Sequence, residues 1–89
     1  MPHIDVAHLH EQGQDMILVP LNQTFGHKPD REKSDTIQEL QMHAHGAGIR
    51  GRVALVWPGG FMGPPPWHPF LRSFPVSSVI RNVNKRIFW

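Results

Sequence analysis

Ile4, Val6 and His8 alternate with Asp5, Ala7 and Leu9, the period of two that predicts a strand. The polar run Glu11-Gln12-Gly13-Gln14-Asp15 reads as a turn around its glycine. Met16-Ile17-Leu18-Val19-Pro20-Leu21 is apolar at successive positions, so this strand is expected to be central and covered on both faces. Pro20 has no N–H to give and belongs at the end of the ladder.

The period then changes. Asn22 to Lys28 is a polar loop containing Gly26. Pro29, Asp30 and Glu32 suit the first turn of a helix, where a missing N–H costs nothing and acids face the positive dipole end. Ile37, Leu40, Ala44 and Ala47 mark one helical face, with Arg31, Asp35, Glu39 and Met42 on the other. Gly46 and Gly48 are the expected stops. Val53-Ala54-Leu55-Val56-Trp57 is again apolar on both faces and predicts a second central strand.

Residues 58–75 hold six prolines and three glycines, together with Phe61, Trp67, Phe70 and Phe74. They are expected as a proline-stiffened loop packed down by its aromatics, with Leu71 to Phe74 as a short edge strand. A last helix, capped by Ser77 or Ser78, is expected to carry Val79, Ile80, Val83 and Ile87 on one stripe. Arg81 and Lys85 then share its opposite face.

Strand, helix, strand with apolar strands is a βαβ unit, which implies parallel pairing. The first strand joins antiparallel through the turn at Gly13. The expected fold is α/β, with α+β as the variant. It has a small mixed sheet of three to four strands in the order β-β-α-β-(loop)-α and two helices packed on it. Residues 1–89 form a single domain in this reading.

Composition narrows the chemistry. With no cysteine, disulfides, thiolate zinc sites and thiol catalysis are excluded. No apolar run approaches the ~20 residues of a membrane span, and no secretory leader is evident. The expectation is a soluble, cytoplasmic protein with no membrane association. Its formal charge of +2 conceals a split. Residues 1–48 hold all seven acids against three cations, a net −4. Residues 49–89 hold Arg50, Arg52, Arg72, Arg81, Lys85 and Arg86 and no acid, a net +6. This asymmetry either marks a binding face or disappears where the two halves interleave.

Histidine is the remaining metal-ligand type of interest. His8 and His10 share a strand face, roughly 6.5–7 Å apart at the backbone. His43 and His45 point in nearly opposite directions on a helix. A metal centre would have to gather His3, His8, His10 and Asp5 from separate positions. Scattered histidines are commoner than ligands, so neither a metal nor another cofactor is assigned. Catalysis has little support, because no Gly-x-Ser-x-Gly or nucleophile–base–carboxylate set is legible.

Three functional classes follow. A small core and apolar positions at Met42, Phe61, Met62 and Phe88-Trp89 point to a non-enzymatic protein-interaction or regulatory domain acting as a homodimer or on another protein. Nucleic-acid binding is the alternative. It would run through Arg50, Arg52, Arg72, Arg81, Lys85 and Arg86, in the part that also holds seven of the eight aromatics. A small-ligand pocket is the third. Ligands of open α/β sheets gather beyond the carboxyl ends of parallel strands, where Asn22, Thr24, His27 and Lys28 would meet Gly59, Gly60, Trp67 and His68. Pro58-Gly59-Gly60 lacks the pattern of a phosphate-binding loop and reads more simply as a tight turn. Pro66-x-x-Pro69 has the spacing of a polyproline ligand.

Overall fold

A computed structural model describes residues 3–11 and 13–88. Trp89 and the Gln12 position of the first turn lie outside the described residues. The strands are β1 (His3–Glu11), β2 (Gln14–Pro20), β3 (Arg52–Trp57), β4 (Gly60–Met62) and β5 (Lys85–Phe88). They form one sheet in the order β4-β3-β2-β1-β5. β2 and β3 pair in parallel, and every other neighbour is antiparallel. The two strands that are apolar on both faces are therefore interior, as their composition requires.

Side chains alternate across the sheet and divide the core in two. Val6, Ile17, Val19, Val53, Leu55 and Ile87 pack beneath α2 (Asp30–Gly46) through Leu40 and Ala44. Ala7, Met16, Leu18, Ala54 and Val56 face the other way, against Trp67, Leu71 and Val79. These last three come from a 3-10 turn (Pro65–Trp67), α3 (His68–Arg72) and α4 (Val76–Arg81). A short helix α1 (Gln23–Gly26) follows β2. Among the described residues no helix is long and apolar enough to cross a membrane.

α2 stops as its glycines foretell. Gly48 sits at φ +76°. Its N–H donates to His45 O at 3.0 Å, and Ile49 N–H donates to Ala44 O at 2.9 Å. This is a Schellman closure, with Ile49 and Ala44 both in the core beneath it. Ala47, placed on the buried stripe by periodicity, is exposed because the helix has already ended. Lys33 completes the inner face one turn before Ile37 and is buried at 8% exposure.

The second half of the chain departs from expectation. The proline-rich stretch is not an irregular loop. It contains β4, the 3-10 turn and α3, and Leu71 is helical rather than part of an edge strand. The last helix is only six residues long and starts after Pro75, with no side-chain cap from Ser77 or Ser78. Ile80 is 60% exposed, and Ile87 lies on β5 rather than on a helical stripe. Arg81 and Lys85 therefore do not share a helix face. The reason is the outer edge of β1: its N–H and C=O groups need a partner, and the alternation of Lys85-Arg86-Ile87-Phe88 supplies one while burying Ile87 opposite Ile4. The sheet has five strands, not three to four.

Candidate functional site

The carboxyl ends of β2 and β3 do bring their loops together. Asn22 caps α1, its Oδ1 accepting the Phe25 N–H at 3.0 Å. Thr24, His27 and Lys28 are exposed around that turn. From the other side comes the hairpin turn Pro58-Gly59, closed by the Trp57–Gly60 pair. Gly59 has φ +92°, the sign that the second central position of a Pro-Gly turn requires.

The space between the loops is filled by Trp57. Its ring lies 6.0 Å from Phe25, and the Lys33 ammonium stands 4.5 Å from its centroid. A Cβ built on Gly26 would fall 2.6 Å from Trp57 Cδ1, and one on Gly60 2.7 Å from Trp57 Nε1. Two glycines thus let backbone approach the indole from both loops. Trp67 and His68 are not part of this end. Trp67 Nε1 donates to Gln14 Oε1 at 2.7 Å, beside the β1–β2 hairpin. His68 packs its ring on Phe61 at 5.2 Å and places Nε2 3.1 Å from Gly63 O. The eight ligand-binding candidates therefore split, with Asn22, Thr24, His27, Lys28, Gly59 and Gly60 around Trp57 and the other two elsewhere.

The six late cations are also dispersed. Arg50 lies in the connection before β3, Arg52 opens that strand, Arg72 is on α3, Arg81 on α4, and Lys85 and Arg86 on β5. Lys85 stands opposite Val6, whereas Arg52 stands opposite Met16, which faces Leu9. These two lie on different strands and at levels three residues apart along β1. One cation meets an early acid directly: Arg86 Nε lies 2.6 Å from Asp5 Oδ1 across the β1–β5 pair. That hydrogen bond holds the Asp5 carboxyl below its ordinary value and raises Arg86.

His8 and His10 share a face as their spacing requires, and both turn to one carboxylate oxygen. His10 Nδ1 is 2.8 Å and His8 Nε2 3.7 Å from Asp15 Oδ1. The hydrogen bond from His10 is the main cause holding Asp15 below its usual range, with smaller contributions from the charges of His10, His8 and Arg50. Asp5 is taken by Arg86 and the His3 ring lies tilted against Phe88 at 5.7 Å, so the four considered ligands do not converge. Among the described residues no group of three metal-ligating side chains is placed to hold an ion.

Two side chains that sequence patterning gave no reason to single out organise the sheet edges. β4 reaches only Leu55–Trp57, which leaves the start of β3 without a strand neighbour on the side away from β2. Gln41 fills that place: its Nε2 donates to Gly51 O at 2.7 Å and its Oε1 accepts Val53 N–H at 2.8 Å. On the other flank β5 ends at Val6, and Asn84 continues the ladder. Its Oδ1 accepts His8 N–H at 2.8 Å and its Nδ2 donates to His8 O at 3.0 Å. Each carboxamide presents one donor and one acceptor, as a strand neighbour would. A Gln on a helix or an Asn in a loop carries no pattern that foretells this.

The outer edge of β5 has no such seal among the described residues. The Val6 carbonyl points toward β5, since it accepts Asn84 N–H at 3.1 Å, and Val6 is opposite Lys85. Lys85 and Ile87 therefore bond inward, and Arg86 and Phe88 turn their N–H and C=O outward. A shallow groove of about 380 Å³, lined by Val83, Asn84, Lys85 and Phe88 among others, runs beside this edge. No family model matches the chain, and no curated protein or solved structure matches it either.

Proposed function

We propose that this chain is a small protein-interaction domain that assembles with a second copy of itself by strand pairing along β5. The observation that carries the reading is the contrast between edges. Stretches of β1 and β3 that run beyond their short neighbours are closed by side-chain amides, and the opposite outer strand β4 is only three residues long, while β5 offers free backbone groups and a Phe88 that is 49% exposed. Open edges of this kind recruit other strands.

Self-pairing suits the side chains. An antiparallel two-fold pairing centred on Ile87 bonds Arg86 of one copy to Phe88 of the other. It sets a guanidinium against a ring and places no like charges directly opposite. The Arg86 charge is already balanced by Asp5. Two five-stranded sheets would then run on as one.

Sedimentation equilibrium tests this. The expected result is twice the chain mass at high micromolar concentration. Phe88→Pro removes one outward N–H and the exposed ring while leaving the inward bonds alone, and it is expected to give monomers with an unchanged circular dichroism spectrum. Met42→Lys, on the exposed face of α2, is expected to leave the dimer intact. A wild-type chain that stays monomeric throughout overturns the proposal, as does a Phe88→Pro variant that still dimerises.

A further inference from the structure

A cleft of about 290 Å³ opens beside the Pro58-Gly59-Gly60 turn, on the sheet face opposite α2. Its floor is Val56 and Phe61, and its far wall is the corner from α3 into α4, with Leu71, Phe74 and Pro75. It lies at the β3–β4 side of the sheet, while β5 forms the opposite edge. It therefore stands apart from the proposed dimer contact.

The lining is mostly apolar and includes a single charged residue, Arg72. Arg72 is exposed and has no acidic partner among the described residues. No acid lines the cleft, and all seven acids of the chain precede residue 40. A mostly apolar hollow with one arginine and no acid among its lining residues fits a ligand with one anionic end and an apolar body. Guanidinium pairs with carboxylate through a planar two-donor fork. Phe61 and Phe74 offer ring surface for an aromatic or aliphatic body. Small-molecule sites have this composition, mostly apolar with few polar groups that fix orientation.

We infer that this cleft binds a small aromatic or aliphatic monocarboxylate, its carboxylate on Arg72 and its body between Phe61 and Phe74. The cleft shares Gly59 and Gly60 with the loop-end pocket that strand topology alone would nominate, but Asn22, Thr24, His27 and Lys28 do not line it.

The probe is phenylacetate, with phenylacetamide as its neutral counterpart of equal shape. Both are titrated into isotopically labelled protein near neutral pH and followed by amide chemical shifts. Saturable shifts at Gly59, Gly60, Phe74 and Val76 are expected for phenylacetate. Phenylacetamide is expected to bind about tenfold or more weakly, the loss of one charge-assisted interaction. Arg72→Gln changes an exposed side chain and is expected to keep the amide spectrum dispersed while equalising the two affinities. Absence of saturable shifts, shifts centred elsewhere, or equal binding of acid and amide by the wild-type chain would each overturn the inference. A phenylacetate preference that persists in Arg72→Gln overturns the assignment to that residue.

Discussion

Replacing Gln41 with alanine tests whether a side chain can stand in for a strand. The substitution removes the acceptor of Val53 N–H and the donor to Gly51 O. Val53 is only 2% exposed, so water reaches its amide poorly. Each net hydrogen bond contributes about 0.5–1.5 kcal/mol, and an orphaned buried group costs about 1–3 kcal/mol. Gly51 O lies nearer the surface and is readily rehydrated, so the expected loss is about 2 kcal/mol. A small domain unfolds with a urea slope of about 1 kcal/mol per molar, so the midpoint should fall by about 2 M. Gln41→Glu separates the two bonds. It keeps an acceptor for Val53 N–H but sets a carboxylate oxygen against Gly51 O, so it should also destabilise. Asn84→Ala supplies the comparison: it removes the same two-bond pattern from His8 at a more exposed edge, and about 1 kcal/mol or less is expected. Urea unfolding by circular dichroism gives the midpoints, and amide hydrogen exchange at Val53 gives the local effect. A Gln41→Ala loss under about 0.5 kcal/mol, with Val53 protection unchanged, would refute the view that this carboxamide closes the edge.

Gly26→Ala and Gly60→Ala each drive a methyl into the Trp57 ring. Each should cost about 1–3 kcal/mol in urea unfolding and alter the near-ultraviolet circular dichroism of the indole. Leu40→Ala empties the inner face of α2 over the Ile17 side of the core, with an expected loss of about 2–5 kcal/mol by the same assay. The Asp5–Arg86 pair sets a pH dependence of known sign. Arg86 lowers the folded-state value of Asp5, so its stabilisation is present above the ordinary aspartate value of about 3.9 and is lost as pH falls through the lowered one. The gap in urea midpoint between wild type and Asp5→Asn should therefore be open at neutral pH and close in acid. A gap that widens on acidification would contradict that sign.

Where a single period ran long enough, sequence patterning located the elements. Met16–Pro20 and Val53–Trp57 are interior because both their faces are apolar, and α2 has its start at Pro29 and its stop at Gly46–Gly48 written in residue types that act locally. The failures lie where a distant partner decides. Residues 85–88 fit a helical stripe as well as a strand, and the unpaired edge of β1 resolves the ambiguity. Short pieces such as β4 and α3 are too brief for any period to register. The loop-end site was half legible. Strand topology brings Gly26 and Gly60 to one place, but it cannot say that Trp57 fills the space between them. Nor does it distinguish a Trp67 at that end from one tied to Gln14 at the other. Gln41 and Asn84 act through backbone geometry that exists only once the sheet is formed.

The pairing of β1 with β5 joins Asp5 to Arg86, residues 81 apart. During synthesis on the ribosome the first strand and its hairpin partner emerge early, while the strand that completes them is still untranslated. The outer backbone of β1 must then remain open until residues 85–88 have been made. A nascent chain whose residues 85–88 have not yet emerged would expose the outer edge of β1 as an adhesive strand. Such an intermediate is prone to capture by other nascent chains. For this protein the time between the emergence of β1 and the emergence of residues 85–88 thus bears directly on how much of it reaches the folded state.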